Sequence, residues 1–197
     1  RRSNFVAVAK EQNEWVNINT HLANNLIQLV GSQIHGTIAS YRAREEEVDL
    51  SPLQKRLPRC EFAFPLVEKY QTHQTHQSEQ QGKRLTFWVP LHSQAWKKGS
   101  FGIWEPDPEQ SRQVELSQCV YILVPGVAFD VRGGRLGYGQ GFYDRALSDL
   151  EGTKKIGVGF SMQISQEPLP CDANDVQMDW IVTEKSYSGK ITMIASL

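Results

Sequence analysis

One stretch in the last third of the chain constrains the fold more than any other. Residues 120–124 form a continuous apolar run, which is typical of a strand buried on both faces. A loop with five glycines follows at 133–141, and a helix is predicted to begin near Phe142 and to close at Leu147 and Leu150. A buried strand, a loop and a helix in this order form the repeating unit of parallel α/β sheets, so the stretch predicts that class of fold.

The rest of the chain continues the same alternation. Apolar residues at helical spacing predict one or two helices in 5–30, and a short strand is predicted in 34–41. Ser51 and Pro52 indicate a helix start with Ser51 as N-cap. Further strands are predicted at 60–67, 85–91, 156–160, 180–183 and 191–194, and exposed loops at 70–83 and 97–108. We therefore expect one α/β domain over 1–197, with a mostly parallel sheet, helices on both faces and ligands at the carboxyl ends of the strands.

Composition excludes several classes of function. A net charge of −1 provides no broad field for nucleic acid or anionic lipid, so neither partner is expected. The longest apolar stretch, 119–129, is interrupted by Pro and Gly and is too short to span a bilayer. The three cysteines form no C-x-x-C pair and no secretory signal is visible, so reduced thiols and a cytoplasmic location are expected.

The glycine-rich loop is a candidate anion site. Glycines at 137, 139 and 141 leave the backbone N–H groups open to a ligand, Arg135 adds a planar cation, and Asp144 could hold a magnesium ion that a nucleotide brings. The alternatives are structural: ordinary turn glycines, a surface arginine and a carboxylate that compensates the helix dipole. The chain has neither the Walker sequence nor the G-x-G-x-x-G dinucleotide fingerprint, so those two phosphate motifs are excluded.

Four segments together match a known family pattern. The segment 124–130 followed by 135–145, Arg-Leu-Gly-Tyr-Gly-Gln-Gly-Phe-Tyr-Asp-Arg, resembles the signature of the 5-formyltetrahydrofolate cyclo-ligase family, also called methenyltetrahydrofolate synthetases. Residues 41–49, ending in Glu-Val-Asp, resemble the family's folate loop. Residues 101–106 resemble its G-x-x-E-P segment, and 175–179 resemble its late aspartate motif. The resemblance covers the chain from about residue 34 to residue 183.

The resemblance implies a NagB/RpiA/CoA transferase-like fold and conversion of 5-formyltetrahydrofolate, with or without a polyglutamate tail, to 5,10-methenyltetrahydrofolate. ATP and Mg²⁺ are implied as well, and a monomer is expected. The implied ATP-binding residues are Arg1, Arg135, Leu136, Gly137, Tyr138, Gly139, Gln140, Gly141, Phe142 and Tyr143. The implied folate-binding residues are Arg42, Glu47, Tyr138, Gly139, Gln140, Gly141 and Phe142. Arg135 and Tyr143 are the implied catalytic residues, and Asp144 and Asp175 the implied magnesium carboxylates.

Two positions depart from the family pattern, and two other functions compete with it. Gln140 stands where the family often has Lys, and Phe142 where Tyr is common. A neutral amide carries no charge, so ATP would bind more weakly or depend more on Arg135, Lys97 and Lys98. The competing functions are a sugar-phosphate isomerase or acyl-transferase on a similar sheet, and a non-catalytic relative that binds folate or nucleotide.

Overall fold

The computed structural model describes residues 2–11, 14–72, 80–99 and 102–189. Within these ranges the helices are α1 (Arg2–Glu11), α2 (Trp15–Val30), α3 (Ser51–Arg56) and α4 (Phe142–Leu147). The strands are β1 (Gly36–Ala39), β2 (Cys60–Thr72), β3 (Gln80–Pro90), β4 (Trp96–Lys98), β5 (Trp104–Pro106), β6 (Ser111–Val114), β7 (Cys119–Pro125), β8 (Ala128–Asp130), β9 (Arg135–Leu136), β10 (Lys154–Val158), β11 (Ile164–Ser165), β12 (Trp180–Val182) and β13 (Tyr187–Gly189).

An eight-stranded sheet in the order β13-β12-β10-β7-β1-β2-β3-β6 organises the molecule. The five neighbouring strands β12, β10, β7, β1 and β2 are all parallel. The remaining strands, β13 on one side and β3 and β6 on the other, pair antiparallel. The predicted mostly parallel sheet is confirmed, and β7 lies near its middle as its apolar sequence requires.

The two faces of the sheet bury separate apolar clusters. Leu123 of β7 points to the face covered by α1, α2 and α3, where Leu26 and Leu53 are also fully buried. Its neighbours Ile122 and Val124 point to the other face, in a cluster that includes Leu147 of α4. This alternation follows from the two-residue period of a strand. Helices therefore cover both faces, as predicted, although one face carries only the short α4 among the described helices.

Close packing around one phenylalanine fixes the sheet end that carries the glycine loop. Phe129 of β8 is fully buried. A Cβ atom on Gly157 would lie 2.6 Å from the Phe129 ring, and one on Gly126 would lie 2.7 Å from it. Residues with side chains cannot occupy these two positions without moving the ring. Gly126 and Gly157 thus let β8 pack tightly across the ends of β7 and β10.

The predicted loop at 70–83 is wrong for the part that the structure describes. β2 and β3 pair antiparallel without interruption from Phe64 opposite Trp88 to Thr72 opposite Gln80. The polar sequence is tolerated because Lys69, Lys83 and Arg84 of this hairpin are exposed, and Arg84 forms an ion pair of 3.4 Å with Glu68. Residues 73–79 lie outside the described ranges.

The predicted loop at 97–108 is also wrong, because it contains the hairpin β4–β5, with Trp96 opposite Pro106. The hairpin is anchored by the Trp96 ring, which lies 4.9 Å from the ring of Phe64 on β2. Aromatic packing therefore overrides the Gly and Pro signals of this segment.

Three smaller predictions differ at helix ends or cannot be compared. Ser51 is the first residue of α3 and not its N-cap, which is Leu50. The Ser51 amide and hydroxyl donate to Asp49, so the aspartate organises this turn. α4 ends at Leu147, short of the predicted Leu150. The predicted strand at 191–194 lies outside the described residues, and no helix within them is long and apolar enough to cross a membrane.

Candidate active site

A cavity of about 730 Å³ opens at the carboxyl ends of the parallel strands. Its walls come from the segment after β1, the β4–β5 hairpin, the glycine loop with the start of α4, and the segment before β12. The residues predicted from the sequence that line it are Arg42, Glu47, Arg135, Leu136, Gly137, Tyr138, Gly139, Gln140, Gly141, Phe142, Tyr143, Asp144 and Asp175. Arg1, the remaining predicted site residue, lies outside the described residues.

A buried ion pair lies in the wall of this cavity. Arg135 Nη2 is 2.7 Å from Asp144 Oδ1, and the two side chains are only 4% and 18% exposed. Arg135 lies on β9, which pairs with β8, and Asp144 lies in the first turn of α4. The Nε atom of Arg135 is buried and has no hydrogen-bond partner among the described residues. A buried guanidinium with an unused donor is suited to an anionic ligand.

The glycine loop reaches α4 through backbone conformations that favour glycine. Gly139 has φ of +82° and Gly141 has φ of +60°. Gly141 is the N-cap of α4, and the amide of Arg145 donates to its carbonyl over 3.1 Å. These two positions explain why the spacing is G-x-G, since other residues are strained there. The loop backbone and the Arg135 side chain can thus contact a ligand in the same cavity.

Glu47 lies in the opposite wall and is 7% exposed. Its Oε1 accepts a hydrogen bond of 3.0 Å from the Tyr138 hydroxyl, and its Oε2 accepts one of 2.9 Å from the Arg44 amide. Beneath it, Tyr41 is buried and its hydroxyl donates to the Val48 carbonyl. Burial raises the pKa of Tyr41, and the charge of Glu47 raises it further. Tyr41 therefore stays protonated beside the carboxylate.

Tyr143 contributes a second buried hydroxyl group. Its oxygen has no hydrogen-bond partner within the described ranges, and its ring packs edge-on against Phe87. The pKa of Tyr143 is raised, first by burial and then by the charge of Glu47, while Arg135 acts in the opposite direction. Near neutral pH Tyr143 is therefore a hydrogen-bond donor and not a general base.

Arg42 and Asp175 lie at more open parts of the cavity. The Arg42 guanidinium stacks 4.6 Å from the Trp96 ring centroid, which holds it beside the β4–β5 hairpin. Asp175 is exposed, and its Oδ2 accepts a hydrogen bond from the Asp172 amide. The described residues contain no cluster of three or more His, Cys, Asp or Glu side chains able to hold a metal ion. Asp144 and Asp175, the two predicted magnesium carboxylates, both line the cavity.

Arg44 and Trp104 are among the cavity residues that the sequence prediction missed. Arg44 places its guanidinium 4.6 Å from the Tyr138 ring centroid. Trp104 is 48% exposed at the cavity wall, although large aromatic side chains are usually covered. The signal for Arg44 was its position two residues after Arg42, on the same segment as Glu47. The signal for Trp104 was its place in the segment 101–106 that resembles the family's G-x-x-E-P motif, although this segment was predicted as a loop.

Comparisons with known proteins agree with this geometry. The family model described as the 5-formyltetrahydrofolate cyclo-ligase family matches residues 7–184. A 5-formyltetrahydrofolate cyclo-ligase from Haemophilus influenzae is 29% identical over 180 residues, which are 90% of this chain and 88% of that protein. The NMR structure of a 5,10-methenyltetrahydrofolate synthetase from Aquifex aeolicus has a TM-score of 0.72 and 30% identity, covering 100% of this chain and 93% of that one. The synthetase from Mycoplasma pneumoniae shares the fold, with a TM-score of 0.65 at 22% identity over 93% of this chain and 96% of that one.

Proposed function

The chain belongs to the 5-formyltetrahydrofolate cyclo-ligase family, a family of ligases, and from this premise we propose that it converts 5-formyltetrahydrofolate to 5,10-methenyltetrahydrofolate with ATP, releasing ADP and phosphate. One observation carries the proposal. A buried arginine with an unused donor, Arg135, lines the same cavity as the buried carboxylate Glu47. A phosphate group and a polar heterocycle can therefore meet in one cavity.

The ATP phosphates would lie along the glycine loop. Arg135 would donate from Nε to a phosphate oxygen while its Nη2 stays bound to Asp144. The loop from Leu136 to Tyr143, with Gln140 at its tip, would supply backbone donors. Gln140 is exposed and adds amide hydrogen bonds without charge. Arg135 is thus the main source of positive charge for the developing phosphate charge.

The folate would occupy the side of the cavity formed by the segment after β1 and the hairpin. Glu47 is an acceptor that can bind the N–H groups of the pterin ring. Arg42, stacked on Trp96, would lie near the carboxylate end of the substrate. This division puts the formyl group in the part of the cavity lined by both Glu47 and the glycine loop, where it can meet the phosphate.

The reaction requires activation of a poor electrophile. The formyl oxygen attacks the γ-phosphorus of ATP, an O–P bond forms, and ADP leaves. The neighbouring N10 amine of the same folate then attacks the formyl carbon. The bond between this carbon and the phosphorylated oxygen breaks, phosphate leaves, and N10 loses its proton to solvent. The protein provides no nucleophile, and its residues position the reactants and stabilise charge. Tyr143, which stays protonated, would donate a hydrogen bond to an oxygen in the reacting group.

Magnesium would supply a further positive charge between phosphate oxygens. Asp144 and Asp175 would hold it from the protein side, since Mg²⁺ binds through one or two carboxylates together with phosphates. Asp144 Oδ1 accepts a hydrogen bond from Arg135, so this carboxylate would serve both the arginine and the ion. Asp175 already has one oxygen occupied by the Asp172 amide, which fixes its orientation.

The proposal includes a cytoplasmic location and a monomeric state for the enzyme. The three cysteines, Cys60, Cys119 and Cys171, are free thiols, as a reducing cytoplasm would keep them. Burial raises the pKa of Cys119 to about 11, which makes this thiol inert. We expect a monomer of one domain, and gel filtration with light scattering tests that expectation.

Formation of the methenyl product tests the function. The assay follows its near-ultraviolet absorbance with 5-formyltetrahydrofolate, ATP and Mg²⁺, omitting each in turn. We expect turnover only when all three are present. Turnover without ATP would contradict the proposed chemistry, and tight binding of both ligands without turnover would indicate a non-catalytic relative. Release of phosphate from ATP without folate would point instead to a simple nucleotide hydrolase.

A further inference from the structure

Both oxygens of Glu47 are held from different parts of the chain. The Arg44 amide holds Oε2 from within the same segment. The Tyr138 hydroxyl holds Oε1 over 3.0 Å, from a residue 91 positions away in the sequence. A carboxylate bound at both oxygens has its plane fixed, so Glu47 can present its remaining lone pairs in only one direction.

The side chain of Arg44 contacts Tyr138 as well. Its guanidinium carbon lies 4.6 Å from the centroid of the Tyr138 ring, within the range of a cation–π contact. The side chain of Arg44 is exposed and forms no ion pair within the part of the chain that the structure describes. The Arg44 side chain therefore contacts the Tyr138 ring, while the Arg44 amide binds the same carboxylate as the Tyr138 hydroxyl.

Tyr138 belongs to the loop proposed to bind phosphate. It lies between Gly137 and Gly139, and the ring is 45% exposed. A residue flanked by glycines has little local restraint on its backbone. The contacts of Tyr138 with Glu47 and Arg44 thus join a conformationally permissive loop to the buried carboxylate across the cavity. Any ligand that orders the loop will also fix the position of the Tyr138 hydroxyl.

From this geometry we propose that Tyr138 and Arg44 are positioning residues that couple the phosphate side of the cavity to its folate side. The inference rests on the proposed function. An anion bound at the glycine loop holds Tyr138 in place, Tyr138 holds Glu47, and Glu47 then binds folate more tightly. Linkage requires the reverse effect to be equal: bound folate increases the affinity for nucleotide by the same factor.

The test measures the dissociation constant of 5-formyltetrahydrofolate with and without saturating ADP and Mg²⁺. ADP has no γ-phosphate, so it neither reacts nor touches the formyl oxygen through that group. For the wild-type chain we expect ADP to tighten folate binding about five-fold or more, as is usual for coupled sites. In Tyr138→Phe the ring remains and the hydroxyl is lost, and the factor should fall to within about two-fold of unity.

The ratio separates coupling from structural damage. A substitution that only disturbs the folate site weakens folate binding equally with and without ADP, which leaves the ratio unchanged. Arg44→Ala should reduce the ratio, and Arg44→Lys should restore part of it because a cation remains above the ring. Tyr121→Phe, a change on β7 outside the cavity lining, is the matched control and should keep the wild-type ratio.

Each outcome decides one of the two proposals. An equal ratio in the wild-type chain and Tyr138→Phe overturns the coupling and leaves the proposed function intact. A wild-type ratio of one has the same consequence. Failure of the wild-type chain to bind 5-formyltetrahydrofolate at all refutes the proposed function, and the coupling with it.

Discussion

Replacement of Arg135 by alanine is the perturbation whose effects the structure specifies best. The side chain is 4% exposed and its partner Asp144 is 18% exposed. Removing one member of a buried pair costs about 3 to 5 kcal/mol when the other charge stays buried. Asp144 retains access to water, so we expect a loss of about 2 to 3 kcal/mol in the free energy of unfolding. Urea denaturation at neutral pH measures it.

The expected effect of the same substitution on catalysis is of similar size but has a different origin. Arg135→Ala removes the charge-assisted donors proposed to stabilise the developing phosphate charge. Loss of one such donor costs about 2 to 4 kcal/mol of transition-state stabilisation, which corresponds to about 30- to 1,000-fold in kcat/KM. The assay is the initial rate of methenyl product formation with the folded variant.

Two further variants separate stability from catalysis. In Arg135→Ala combined with Asp144→Asn, the leftover charge is neutralised, so much of the stability should return while activity stays low. Arg135→Lys keeps the charge and loses the planar set of donors. Its rate should lie between those of the wild-type protein and Arg135→Ala. A folded Arg135→Ala variant with kcat/KM within three-fold of the wild-type value would refute the assigned role of Arg135.

Three other predictions address packing, pH and magnesium. Gly157→Ala should destabilise the fold by about 1 to 3 kcal/mol in urea denaturation, because its Cβ would lie 2.6 Å from the Phe129 ring; an unchanged midpoint would show that the ring moves freely. Asp130, 3% exposed, would have its pKa raised by burial, but amide donors lower it overall. Its folded-state pKa is thus below the unfolded value, so its contribution to stability is present at neutral pH and is lost as the pH falls through the folded-state pKa. Asp130→Asn should therefore flatten the acid side of a plot of melting temperature against pH, and an equally steep acid side would contradict this. Asp144→Asn should raise the Mg²⁺ concentration for half-maximal rate by roughly ten-fold, and an unaffected titration would remove Asp144 from the metal site.

The sequence predicted the parallel part of the fold because its signal is local. β7 is apolar throughout and β10 is apolar from Ile156 to Val158, and their register places Leu123 opposite Ile156, two fully buried residues. The antiparallel part was predicted poorly. In the β2–β3 hairpin the polar residues Lys69, Lys83 and Arg84 are exposed, and pairing between the strands stabilises this part instead of burial. The composition of such a segment resembles that of a loop, so composition alone does not reveal the strands.

The residues that line the cavity were predicted better than the contacts between them. The family signature identified the segment from Arg135 to Asp144, and all of its residues line the cavity. The pairing of Arg135 with Asp144 was not predicted, because two residues nine positions apart meet only through the path of the loop. The Tyr138–Glu47 hydrogen bond was beyond prediction for a stronger reason, since it joins residues 91 positions apart. Such contacts depend on the tertiary fold and leave no local pattern.

The transfer of the formyl oxygen to phosphate tests the central claim most directly. 5-Formyltetrahydrofolate carrying a heavy oxygen isotope in its formyl group is converted with ATP and Mg²⁺, and the released phosphate is analysed by mass spectrometry. Phosphorylation of the formyl oxygen predicts one heavy oxygen atom in the phosphate for each methenyl product. Heavy oxygen recovered in water, with none in the phosphate, would contradict a cavity that brings the formyl group to ATP.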